Sequence, residues 1–218
     1  MATVGRATGV RAEQAAATRA RILDAAERLF AEEGLAAVSH RRIGAEAGQR
    51  NVTAVGYHFG DRTDLVRALL LRHQDEMEEA RRALVAVARP GVTADWLRCL
   101  VQPVLDVVVA LPQPTWMLRC GAQLLSDPGV RALLEDEVLA APWLVAADRG
   151  LDDCLGHLGP DERADRRAMV RTLVVQLYAE REAAVAALPA DGVAAAWGRF
   201  SAHLVAATTG LLEAPAAD

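Results

Sequence analysis

Lysine is missing from this chain. All 24 basic residues are arginine, on every segment, which reads as a compositional preference of the source genome and not as a local device. Aromatic residues make up only 4%, and β-branched residues other than valine are few, so the alphabet that strands need is thin. The three cysteines, Cys99, Cys120 and Cys154, are widely spaced and form no CxxC pair. That excludes a disulfide framework and a structural zinc site and fits a reducing cytoplasm. The most apolar stretch, Cys99 to Leu111, is interrupted by Gln102, Pro103 and Asp106, and the amino terminus has no apolar core of signal-peptide length, so neither export nor a membrane span is expected. There is no GxSxG, no phosphate-cradling glycine loop and no HExxH, and hence no sequence support for an enzyme or a cofactor. Asp152, Asp153, Cys154 and His157 cluster without a second defined pair of ligands, and no metal is assigned to them.

What remains is a chain of 218 residues, 52% hydrophobic, dominated by alanine, leucine, arginine and glutamate. The length supports a sizeable core, and the composition predicts an all-α fold of about nine helices. The net charge of −5 conceals an asymmetry. Residues 1–62 hold nine arginines against seven acidic residues, a net +2, whereas residues 63–218 hold fifteen against twenty-two, a net −7. A basic end on an acidic body suits a head that meets nucleic acid.

Residues 1–17 lack apolar periodicity and read as a flexible arm. From Thr18 the pattern changes: Ile22, Ala25, Ala26, Leu29 and Phe30 share one helical face, and Gly34 can end that helix. Ser39 is a plausible N-cap for a short second helix that turns Ile43 and Ala47 inward, shows His40, Arg41 and Arg42 outward and stops at Gly48. After Gln49 and Arg50, Asn51 can cap a third helix running to Tyr57 or His58. These elements make a three-helix, helix-turn-helix head over residues 18–62, followed by a helical body over 63–218. The body opens with a long helix toward Val87, broken by Arg89-Pro90-Gly91. Five more segments follow, roughly 93–111, 114–126, 128–157, 161–187 and 192–210, with Pro103 and Pro142 set to kink or split two of them.

In the third helix, Val55 and Phe59 point inward at i and i+4, which leaves Val52, Thr53, Gly56 and Tyr57 outward. Thr53 can hydrogen-bond a base edge, Val52 can touch a thymine methyl, and Gly56 allows close backbone approach. Arg42, Arg50, Tyr57, His58 and Arg62 are candidates for phosphates, with Ser39, Arg41 and Asn51 completing the surface.

The segments F30-A-E-E-G34, I43-G-A-E-A-G48, Y57-H-F59-G60 and R62-T-D-L65 resemble the DNA-binding head of the TetR family of bacterial transcriptional regulators. Two departures stand out. Gly48 to Phe59 is one residue longer than the family's commonest spacing. The family's phosphate-binding tyrosine position is Gly56, with Tyr57 one residue later, about 100° around the helix. Arg62 replaces the family's lysine and keeps its charge.

The resemblance implies a nucleoid-associated homodimeric repressor on a pseudo-palindromic DNA operator, released by a small-molecule effector, with the dimer interface on the last two long helices. Leu173, Gln176, Leu177, Val193, Trp197, Phe200 and Leu204 are the candidates for that interface; an internal core would use the same stripe. It also implies an effector pocket among the middle helices, where Trp96, Cys99, Trp116, Met117, Cys120, Gln123 and Trp143 would suit a hydrophobic or aromatic molecule. An activator, or a DNA-binding protein without a ligand, would share this head. An all-α enzyme or adaptor would carry it by coincidence and would show no salt-dependent DNA binding.

Overall fold

The computed structural model describes residues 4–216 apart from 50 and 52. Among the described residues there are eleven helices and no strand. They are α1 (Val4–Glu33), α2 (His40–Glu46), α3 (Ala54–Phe59), α4 (Arg62–Leu70), α5 (Gln74–Val85), α6 (Thr93–Ala110), α7 (Met117–Leu125), α8 (Pro128–Glu137), α9 (Pro142–Cys154), α10 (Pro160–Val185) and α11 (Ala190–Glu213). No helix among the described residues is long and apolar enough to cross a membrane.

Two boundaries differ from the sequence expectation. Helix α1 begins at Val4 and runs through most of the stretch read as a flexible arm. Its alanine, glutamine, glutamate and arginine favour a helix; the missing apolar period reflects a lack of anything to pack against, since residues 12–17 are exposed. The long helix expected after residue 62 breaks at residues 71–73 without glycine or proline. There Arg72 turns back to ion-pair with Asp24 and Glu27 of α1. Pro142 divides the segment 128–157 by opening α9 at its first turn, where its missing N–H leaves no acceptor unpaired.

Pro103 lies inside α6 without ending it. A proline there removes the bond to the carbonyl four residues back, at Cys99. That carbonyl instead accepts from Arg81 Nε at 3.1 Å. Arg81 is buried and also pairs with Glu78, whose other oxygen accepts from the Trp143 N–H at 2.9 Å, so α5, α6 and α9 are joined at one point.

Two apolar clusters organise the molecule. One joins Ile22, Leu29, Phe30, Val38, Ile43, Val55, Phe59 and Leu65 to Cys120 and Leu124 of α7 and to Val130 and Leu134 of α8. The head core therefore continues into the body. The other is built from α6, α7, α9, α10 and α11 around Trp197, Leu97, Leu105, Leu155 and Leu212.

Candidate nucleic-acid interface

Glycine and caps position the short helices. Gly48 takes φ +68°, and the bonds Gln49 N–H to Gly44 O (2.9 Å) and Gly48 N–H to Ala45 O (3.1 Å) close α2 in a Schellman turn. Ser39 opens α2: its Oγ accepts from the Arg42 N–H at 3.2 Å. Ala54, Val55 and Phe59 fix α3 on the core, and Val55 meets α2 at the buried Gly44.

Helix α3 starts at Ala54, later than expected, with Thr53 in the N-cap position. Asn51 acts ahead of it through a side-chain turn. Its Oδ1 accepts from both the Thr53 N–H (3.0 Å) and the Thr53 hydroxyl (2.8 Å). The outward face then holds Asn51, Thr53, Gly56 and Tyr57, all exposed. A Cβ built at Gly56 would meet nothing within 4 Å, so internal packing does not require glycine there. Tyr57 is 86% exposed and leans edge-on against His58, with ring centroids 5.2 Å apart. The candidates Arg50 and Val52 lie outside the described residues.

The arginines divide. Arg41 is exposed on α2 beside this face. Arg42 is tied to Glu46 (3.1 Å) and Glu33 (3.2 Å). Arg62 does not reach outward: its guanidinium donates to the carbonyls of Leu35 and Val38 and lies 5.5 Å from the Phe30 ring centre. A long cation at the start of α4 closes the α1–α2 loop, whose carbonyls have no helix to bond them. Arg19 does the same for α3. It donates to the His58 carbonyl at 2.6 Å and sits 4.0 Å over the Phe59 ring. No spacing signal marks Arg19, because its partner carbonyl lies 39 residues away in sequence. His58 itself is half-buried.

The body candidates are not brought together. Cys120 belongs to the cluster shared with the head, Trp96 and Met117 pack on the other cluster, and Cys99 is buried in α6. Gln123 is exposed beside Gly34, Trp143 is exposed on α9, and Trp116 borders a cleft against α1. Tryptophan is placed by local packing: a Cβ at Gly150 would run into the Trp96 indole. Of the interface candidates, Val193, Trp197 and Leu204 are inside the chain's own core, whereas Leu173 and Gln176 are exposed and Leu177 and Phe200 half-buried. Asp152 is held by Arg163 and Arg167, and Cys154 donates to the Gly150 carbonyl.

The family model described as bacterial regulatory proteins, tetR family, matches residues 22–69, from α1 through α3 and most of α4. The HTH-type transcriptional regulator TtgR of Pseudomonas putida is 34% identical over 95 residues. That match covers 44% of this chain and 43% of the relative, so it spans less than half of either protein.

Proposed function

We propose that this chain, which belongs to the TetR family of bacterial regulatory proteins, is a homodimeric transcriptional repressor that inserts α3 into the major groove and leaves its operator when a small molecule binds the body. The observation that carries this reading is the division of α3 and the turn before it: Ala54, Val55 and Phe59 are buried while Asn51, Thr53, Gly56 and Tyr57 face solvent, as does Arg41 of α2. A two-fold dimer would present two such helices about 34–36 Å apart.

Two features support the body's roles. Helix α10 leaves Met169 and Leu173 exposed, and α11 leaves Ala195, Gly198, Ala202 and Ala206 exposed, a low-relief face on which a second copy can pack. A cavity of about 240 Å³ between α6, α9, α10 and α11 is walled by Leu97, Val101, Leu151 and Val170, with Arg167, Arg171 and Asp148 among its lining. Its chemistry suits an apolar effector. Binding there would lower DNA affinity by the effector's preference for the arrangement whose heads no longer match the operator.

A gel-shift titration with duplex from around the chain's own gene and with random duplex, at several salt concentrations, tests the reading. The expected preference is at least about 10³-fold for the first DNA, with affinity falling as salt rises. Equal affinity for both would overturn it.

A further inference from the structure

A cleft of about 660 Å³ opens between the head and the body, apart from both the α3 face and the apolar cavity. One wall carries Asp24, Glu27 and Arg28 of α1 and Glu46 of α2; the other carries Arg72, His73 and residues 111–116. Its volume is that of a small-molecule site. Glu27 supplies the distinctive chemistry. Its side chain is only 14% exposed, and Arg72, the cation paired with it, approaches no nearer than 3.4 Å while also pairing with Asp24. Burial pushes the Glu27 carboxyl up to about 7 despite Arg72, and the charges of Glu182 and Asp24 push in the same direction.

Of the neighbouring cations, the exposed Arg21 donates to the Thr18 hydroxyl at 3.2 Å, and Arg119 lies 6.0 Å from the Trp116 ring centre. Arg28 is bonded to Glu46, and Arg119 to Glu182. The His73 imidazole is held below its usual range, first by burial and then by Arg72, so it adds little positive charge at neutral pH. Leu111, Pro112 and Trp116 provide apolar surface beside these groups. A buried carboxylate short of counter-charge, next to an indole in a ligand-sized cleft, matches an organic cation.

We propose that this cleft is a second ligand site, taking a small organic amine whose ammonium pairs with Glu27 and whose apolar part lies on Trp116. The proposal is independent of DNA binding. With its value pushed up to about 7, the Glu27 carboxyl holds a proton in part of the molecules at neutral pH. An ammonium takes the place of that proton, which passes to the buffer, and an occupant touches head and body at once.

Isothermal titration of the full chain with phenethylamine tests this, in two buffers of different ionisation heat. Proton release per amine bound should be larger at pH 7 than at about pH 8.5. Glu27→Gln should weaken binding about tenfold or more and abolish the release. Phenethyl alcohol and phenylacetate, which keep the ring without the cation, should bind at least about tenfold more weakly. No binding up to about 10 mM, equal binding of the uncharged alcohol, or a folded Glu27→Gln that binds equally well would each overturn the proposal. The comparison of amine with alcohol and carboxylate needs no variant, so it decides the matter even if the substitution impairs folding.

Discussion

Head and body both hold loose carbonyls with arginine, as Arg81 does for Cys99, but the body adds a buried anion. In the head, Arg19 and Arg62 extend from α1 and α4 to loose carbonyls at His58, Leu35 and Val38. In the body, the buried Glu182 of α10 gathers donors instead: the Thr115 hydroxyl (2.9 Å), the N–H groups of Leu118 (3.1 Å) and Arg119 (2.9 Å) and the Arg119 guanidinium. It thereby holds the amino-terminal end of α7, where the helix dipole favours an anion. The difference teaches how to read a charge count. Basic residues in the head overstate what it offers DNA, because some arginines hold the fold, whereas the body's acidity includes a carboxylate, Glu182, that is buried.

Removing Glu182 strikes the body's half of this contrast hardest. Glu182→Leu strands several buried donors and the Arg119 charge, and should cost about 3–5 kcal/mol in urea unfolding. A loss below about 1 kcal/mol would mean that the body does not depend on its buried anion.

Glu27 sharpens the comparison because it is a buried acid that belongs to the head. Below its ordinary value of 4.5 it is neutral whether the chain is folded or unfolded. As pH rises from there, the unfolded chain ionises while the folded chain resists until about 7, so stability falls across that window and the penalty is complete above it. Relative to Glu27→Gln, the natural chain should lose about 3 kcal/mol between pH 4 and pH 8. Parallel stability profiles for the two proteins would contradict this.

A smaller effect separates clamp from contact within the head itself. Arg62→Met should lower stability by about 2 kcal/mol, because Leu35 and Val38 lose a charged donor. Tyr57→Ala should leave stability within about 0.5 kcal/mol and weaken operator binding about tenfold. If the two variants behave alike in both urea and gel shift, the division between clamp and contact fails.

The glycine and cap residues are legible in the sequence because their signal is local. Gly34 and Gly48 take positive φ where α1 and α2 stop, Ser39 caps α2, and the apolar spacing of α1 predicts which residues are buried. Long side chains are not legible in the same way. Arg62 has an outward-reaching charge on paper, yet its partners lie 24 and 27 residues back in sequence. The break at residues 71–73 has no glycine or proline to announce it, since it is drawn by Asp24 and Glu27 across the fold. Trp96, Trp116 and Trp143 look like one group because all three fall within residues 93–157, but they sit on different helices or loops facing different surroundings.

The turn at Asn51 carries a consequence for base identity. The Thr53 hydroxyl gives its proton to Asn51 Oδ1, so what it presents outward is lone pairs. Set against a base edge in the major groove, such an oxygen can accept from the exocyclic amine of adenine or cytosine, while the oxygens of guanine and thymine would offer it no proton. Just ahead of α3, a single amide oxygen thus leaves Thr53, in the groove docking proposed above, a side chain that would accept from an amino group.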